Sequence, residues 1–138
     1  MSSFGTIKTK METLVQETEK KLLASGILIN YLPGEYLFRH GQKAEYVFYV
    51  MKGKICLETP DDKELVMEDQ SIFLGLNELL KQKNHSFSTH TITDSKFLVF
   101  DKNYFLSLIQ EFGIENSYFD NKLKELDIFF EQKIPKEN

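Results

Sequence analysis

The sequence holds a single cysteine, Cys56, which excludes an internal disulfide. The same scarcity is read as excluding a cysteine-ligated iron–sulfur cluster or zinc site within one chain. Nothing in Lys54-Ile55-Cys56-Leu57-Glu58 lowers the thiol pKa or exposes it, so Cys56 is expected to be a small buried or half-buried strand residue. No apolar run approaches the ~20 residues of a membrane span, and the N-terminus lacks the apolar stretch of a signal peptide. A cytoplasmic location with no membrane partner is therefore expected. Excess positive charge is missing too. With 17 basic against 21 acidic residues the net charge is −4, whereas a free-standing nucleic-acid binder carries a basic excess to neutralise phosphates. The basic residues are scattered, and direct DNA binding by this chain is not expected. There is no nucleophile elbow, phosphate-binding glycine loop or recognisable acid/base pair, which argues against an enzyme. Linkers, low-complexity tracts and internal repeats are also absent.

What is present fits one domain over residues 1–138 with a phenylalanine-heavy core. Such a chain buries roughly two-thirds of its unfolded surface and needs neither disulfide nor metal to hold together. Ile7, Met11, Leu14, Val15, Leu22 and Leu23 recur at helical spacing, predicting an N-terminal helix over Gly5–Ser25 within a segment 1–26. Gly26 follows where a helix often ends on a left-handed residue. From residue 27 to 100 the texture changes to short strands. These are predicted at Ile27–Asn30, Tyr36–Arg39, Tyr46–Met51, Lys54–Glu58, Lys63–Met67, Ile72–Leu74, Ser86–Thr93 and Ser95–Phe100. Turn formers separate them, among them Pro33-Gly34, Gly41, Lys52-Gly53 and Thr59-Pro60-Asp61-Asp62. Eight short strands at this spacing predict a sandwich, jelly roll or barrel. A short helical stretch, Leu76–Lys81, interrupts them. Residues 101–134 are helical again, as Lys102–Glu111, a break at Phe112-Gly113, and Ile114–Lys133.

The run Leu32-Pro33-Gly34-Glu35-Tyr36-Leu37-Phe38-Arg39-His40-Gly41, then Tyr46-Val47-Phe48-Tyr49-Val50-Met51-Lys52-Gly53-Lys54-Ile55, resembles the first strands of cyclic-nucleotide-binding domains. In that family a Pro/Lys-Gly-Glu is followed by a glycine seven residues on and by an aromatic-apolar strand ending in Ser-Gly or Lys-Gly. Gly34, Gly41 and Gly53 stand at those places, where tight turns need backbone angles that other residues avoid. The resemblance runs from about Leu22 to Ile134 and is strongest to the sensor half of bacterial Crp/Fnr-type transcription regulators. It implies an eight-stranded β-roll with flanking helices.

The resemblance also implies where a ligand would sit. Family members that bind cyclic nucleotides carry Phe-Gly-Glu-Leu, a short helix and Arg-Ser/Thr-Ala, in which the arginine pairs with the cyclic phosphate and the glutamate accepts from the ribose. Here the stretch reads Phe73-Leu74-Gly75-Leu76-Asn77-Glu78-Leu79-Leu80, then Asn84-His85-Ser86-Phe87-Ser88. The candidate ligand residues are Gly75, Leu76, Asn77, Glu78, His85 and Ser86. Aligned on Gly75, Leu76 falls at the glutamate; a shifted register puts Glu78 there. Counting back from the strand at Phe97 puts His85 at the arginine and Ser86 at the hydroxyl. No arginine lies between Gly75 and Ile92, and histidine lacks the permanent charge and bidentate fork of arginine. Losing such a phosphate pair costs ~2–5 kcal/mol. Cyclic AMP or cyclic GMP in the usual mode is therefore not expected, nor is a cofactor.

Phe119, Leu123, Leu126 and Phe130 recur at the a/d spacing of a coiled-coil seam. The resemblance implies a homodimer through that helix. Docking of the same stripe onto the chain's own roll is the alternative, with Tyr118, Ile128 and Phe129 lying off it. Crp/Fnr-type regulators continue into a winged helix-turn-helix, whereas this sequence ends at Ile134-Pro135-Lys136-Glu137-Asn138 with no recognition-helix pattern. Two readings stay open: a sensor half separated from its DNA-binding half, or a short protein that acts through a separate DNA-binding or regulatory partner. The expected function is a non-enzymatic sensor domain for a small ligand. One alternative is a ligand-free interaction or dimerisation module on the same fold. The other is a cupin-like metal enzyme, which would bring two or three histidines and a carboxylate inside the barrel. His40, His85 and His90 lack the close spacing of the first cupin ligand pair, and no metal site is expected.

Overall fold

The stretch Val47-Phe48-Tyr49-Val50 shows no alternation of polar and apolar residues, as expected of a strand covered on both faces. All four residues are buried. The computed structural model describes residues 16–133, with side chains as far as Asp127. The predicted helix before Gln16, with Ile7, Met11, Leu14 and Val15, lies outside the described residues. So do the side chains of Ile128, Phe129 and Phe130.

In chain order the elements begin with α1 (16–24). There follow β1 (Ile27–Tyr31), β2 (Tyr36–Phe38), β3 (Tyr46–Lys52), β4 (Lys54–Glu58), β5 (Glu64–Glu68) and β6 (Phe73–Leu74). Then come α2 (Leu76–Leu80), β7 (Ser88–Thr91), β8 (Ser95–Asp101), α3 (Lys102–Phe112) and α4 (Asn116–Lys133). The strands form two antiparallel four-stranded sheets, ordered β1-β8-β3-β6 and β2-β7-β4-β5. This is the mainly-β roll with flanking helices that the sequence predicted.

Each face of β3 serves a different core. Phe48 and Val50 meet Phe97 and Val99 of β8 and the inward residues Phe38, Ile55, Leu57, Leu65 and Met67 of the second sheet. Val47, Tyr49 and Phe100 face the other way, under Leu22 of α1, Leu76 and Leu79 of α2, Phe105 and Leu108 of α3, and Phe119 of α4. β5 borders solvent on its outer side and therefore alternates, with Leu65 and Met67 buried between exposed Glu64, Val66 and Glu68.

Asp101 caps α3 by accepting from the Tyr104 amide at 3.1 Å, and Gly113 closes it at φ 60°, the predicted break. Gly26 differs from expectation, because it is not among the glycines with positive φ. A Cβ there would lie 2.8 Å from Cζ of Phe100, so close approach of the chain to the β8 ring, not a left-handed cap, excludes a side chain. No helix among the described residues is long and apolar enough to cross a membrane.

Candidate ligand pocket

A cavity of about 530 Å³ opens between α2, the roll and α4. The cassette contributes Phe73, Gly75, Leu76, Asn77, Glu78 and Lys81 from one side, with Ser86 and Phe87 beyond the turn. α4 contributes Lys122, Leu123, Leu126 and Asp127 from the other, and Thr59 closes the rim. Five of the six cassette candidates therefore line one cavity.

Gly75 adopts φ 81° at the start of α2, and a Cβ there would meet the His85 ring at 3.1 Å and the Tyr46 carbonyl oxygen at 3.2 Å. Glu78 is buried, and its Oε1 accepts from the Ser86 hydroxyl at 2.6 Å. Of the two registers weighed for the acid, the structure thus buries Glu78 in polar contact within the cavity wall, while Leu76 supplies apolar surface.

His85 is the exception. Its ring stacks on Phe38, with centroids 3.8 Å apart and planes at 10°, and it borders a separate hollow of about 340 Å³ with Gln42, Lys43 and Tyr46. Its backbone is pinned as well, donating to the Gln42 carbonyl and accepting from the Gly41 amide, both at 2.8 Å. The residue facing the cavity where an arginine was sought is thus Ser86. The reason is local. The turn between α2 and β7 brings in Gln82 at φ 55°, and the phase in which it delivers the chain to β7 decides which side chain faces inward.

Burial pushes the His85 imidazole below its ordinary pKa, while the Glu78 carboxylate pulls the other way. The folded state thus favours neutral His85. That contribution to stability is complete above about pH 6.5, where the unfolded imidazole is also neutral, and is lost as pH falls further and the unfolded chain takes up a proton. Denaturation midpoints measured from neutral pH down to about pH 5.5 should fall for the wild type. His85→Phe, which keeps a ring against Phe38, should remove this component; an unchanged slope would show that other groups carry it.

The α4 stripe is also placed. Phe119 is buried with its ring 5.9 Å from that of Phe105. Leu123 packs on the helix-side core and Leu126 on the core between the sheets, both within the same chain. From Phe119 to Leu126 the stripe thus lies on the chain's own roll, the alternative weighed beside the dimer seam. Lys122 Nζ sits 3.0 Å from Glu19 Oε2 on α1, and the Tyr118 hydroxyl donates to the same oxygen at 2.8 Å. Thr59, Phe87, Lys122 and Asp127 were not singled out in the sequence. Their signal is tertiary, since Lys122 and Asp127 flank apolar stripe positions, Phe87 stands between two serines and Thr59 sits in a turn.

Chemically, the cavity offers an acidic acceptor in Glu78, cationic groups in Lys81 and Lys122, hydroxyl and amide groups in Ser86, Thr59 and Asn77, and apolar walls. This is a binding set. Residues 28–112 match the family described as the cyclic nucleotide-binding domain. No curated protein sequence matches the chain. Among solved structures, the catabolite activator protein of Thermus thermophilus is similar with a TM-score of 0.64 at 20% identity, over 84% of this chain and 58% of that one. The regulator CLP of Xanthomonas campestris, described as c-di-GMP responsive, gives 0.57 at 22% identity over 85% and 56%. The N-terminal domain of a transcriptional regulator from Streptomyces coelicolor gives 0.62 at 17% identity, over 88% of both chains. The chain thus spans less than two-thirds of the first two regulators. With the family match extending over more than half of its length, on the roll and through the cassette, this chain belongs to the cyclic nucleotide-binding domain family.

Proposed function

We propose that the chain is a non-enzymatic regulatory sensor domain of the Crp/Fnr type. It binds a small molecule other than cyclic AMP or cyclic GMP in their usual mode and passes occupancy to α4. The observation that carries this reading is the shared cavity wall. Gly75–Glu78 lie on one side and Lys122, Leu123, Leu126 and Asp127 on the other, so one ligand touches both the cassette and the helix. Differential contact with two packings of α4 is all that is needed to shift their populations. The arginine of the family cassette is missing, and Ser86 cannot supply its charge. In this reading α4 reports to a second copy or to a separate DNA-binding or regulatory partner, and the protein acts in the cytoplasm. Because Phe119 and Leu123 already contact the roll, a two-fold contact would draw on the outer face of the helix.

The test is a thermal-shift titration with cyclic AMP, cyclic GMP, cyclic di-GMP, glutathione and inorganic phosphate, followed by hydrogen exchange on α4. A ligand at about 100 times its Kd stabilises by ~2.7 kcal/mol and raises Tm by several degrees. The expected result is no shift with cyclic AMP or cyclic GMP, a shift with another probe, and slower exchange in α4 when that probe binds. A clear cyclic AMP shift would overturn the ligand assignment. Binding that leaves α4 exchange unchanged would overturn the signalling route. No shift with any probe would favour the ligand-free interaction module.

A further inference from the structure

The outer face of the second sheet holds a cluster that the ligand pocket does not use. β4 pairs with β7 so that Cys56 stands directly opposite His90, and β7 pairs with β2 so that His90 stands opposite Tyr36. Residues paired across antiparallel strands carry Cβ atoms about 4.5–5.5 Å apart on one face. Glu58 lies two residues beyond Cys56 and therefore shares that face. The neighbours of Cys56 along β4, Ile55 and Leu57, belong to the core between the sheets, so the thiol points away from that core. Yet Cys56 is only 3% exposed, and His90 and Glu58 are each partly buried. One thiol sulfur, one imidazole nitrogen and one carboxylate oxygen lie within 4.8 Å of one another.

The geometry points to a binding site for one divalent transition ion of the zinc class, ligated by Cys56, His90 and Glu58 on the outer face of the β-roll. Soft sulfur, imidazole nitrogen and carboxylate oxygen are each regular zinc ligands, and three protein ligands leave a fourth position to solvent. The cysteine count was read as excluding a cysteine-ligated zinc site, an exclusion that holds only for sites built on several cysteines. A mixed set needs only one, and strand register rather than sequence spacing brings the other two ligands to it.

Two further observations support the assignment. His90 Nδ1 is shut off from solvent and stands 2.6 Å from Glu58 Oε1. Two ligands of one ion at bond lengths of about 2.0–2.2 Å sit farther apart than this, so Glu58 turns aside as the ion enters. The Tyr36 hydroxyl donates to Glu58 Oε1 at 2.9 Å, the outer hydrogen bond that orients a ligating carboxylate. The Cys56 proton leaves to solvent as the metal–sulfur bond forms. The His90–Glu58 pair is the contact that the ion displaces, and the others are weak or peripheral. Cys56 Sγ makes only a loose approach of 3.9 Å to the Leu57 carbonyl, and the Arg39 guanidinium lies over the far neighbour, 3.7 Å from the Tyr36 ring centre.

The test is a titration of Co²⁺ into the full chain, stripped of metal with a chelator and kept reduced, followed by displacement with Zn²⁺. One equivalent of Co²⁺ is expected to bind, with a thiolate-to-cobalt charge-transfer band and the intense visible bands of a four-coordinate ion. One equivalent of Zn²⁺ should bleach both. Cys56→Ser should abolish the charge-transfer band. His90→Gln and Glu58→Gln, at partly exposed positions, should weaken binding by at least the roughly 10–100-fold that loss of an outer partner costs, and Tyr36→Phe by about tenfold. Unchanged circular dichroism and Tm of the metal-free variants confirm that each folds. No charge-transfer band in the folded wild type would overturn the proposal, as would a Co²⁺ affinity left intact by His90→Gln.

Discussion

Replacing Gly53 by alanine is expected to destabilise the domain by on the order of 3 kcal/mol, lowering Tm by roughly 10 °C. Gly53 is the corner residue at which the chain leaves β3 in the first sheet and enters β4 in the second. Its φ of 120° lies where an L side chain is strained. The space is filled as well. A Cβ would fall on the Ser95 hydroxyl, 2.6 Å from its Cβ and 2.9 Å from its Cα, and the backbone of a central strand cannot step aside. The turn is fixed from the other side by Asp69, whose carboxylate accepts from the Gly53 amide at 2.8 Å while its amide donates to the Gly53 carbonyl at 3.0 Å. Gly34→Ala separates the two causes. Gly34 has φ 83°, but a Cβ there would meet nothing within 4 Å, so the substitution should cost only the left-handed backbone, about 1–2 kcal/mol. Urea denaturation of both variants checks the difference. Equal losses would mean that contact with Ser95 contributes nothing.

Truncating Phe105 to alanine should cost about 3–5 kcal/mol, a large share of the roughly 5–15 kcal/mol that holds such a domain together. The ring is fully buried and sits where four elements meet. It lies 5.3 Å from Phe100 of β8, 6.3 Å from Phe73 in the pocket wall, and 5.9 Å from Phe119 of α4. The loss should therefore be uneven. Hydrogen exchange in α4 should accelerate more than in β4 or β5, whose inward residues belong to the other core, between the sheets. Phe105→Leu, which keeps most of the apolar volume, should recover much of the stability. Uniform acceleration across both sheets would mean that Phe105 supports the whole roll and gives no special hold on the reporting helix.

Much of this architecture is legible in the sequence because its signals are local. Turn formers between short strand-like runs place all eight strands, and β4 runs over Lys54–Glu58 as predicted. Predicted Ser86–Thr93 contracts to Ser88–Thr91, because pairing with β2 and β4, not propensity, sets where β7 begins and ends. The cassette segment is legible for the same local reason, since the glycine before a short helix marks itself.

By itself, then, the sequence determines an eight-stranded roll with helices at both ends, the place of Gly75–Glu78 between β6 and β7, and the lack of an arginine to hold a phosphate there. Tertiary structure alone decides the rest. A helical period says that Phe119, Leu123 and Leu126 share a face but not what covers it, and in the structure the chain's own roll does. The short turn after α2 decides that Ser86 faces the cavity while His85 stacks on Phe38, a difference of one residue in phase. Strand register decides that Cys56 and His90, far apart in the chain, stand opposite one another. Side-chain direction in a strand alternates with every residue, so which groups meet depends on pairing between distant segments, and no local pattern records it.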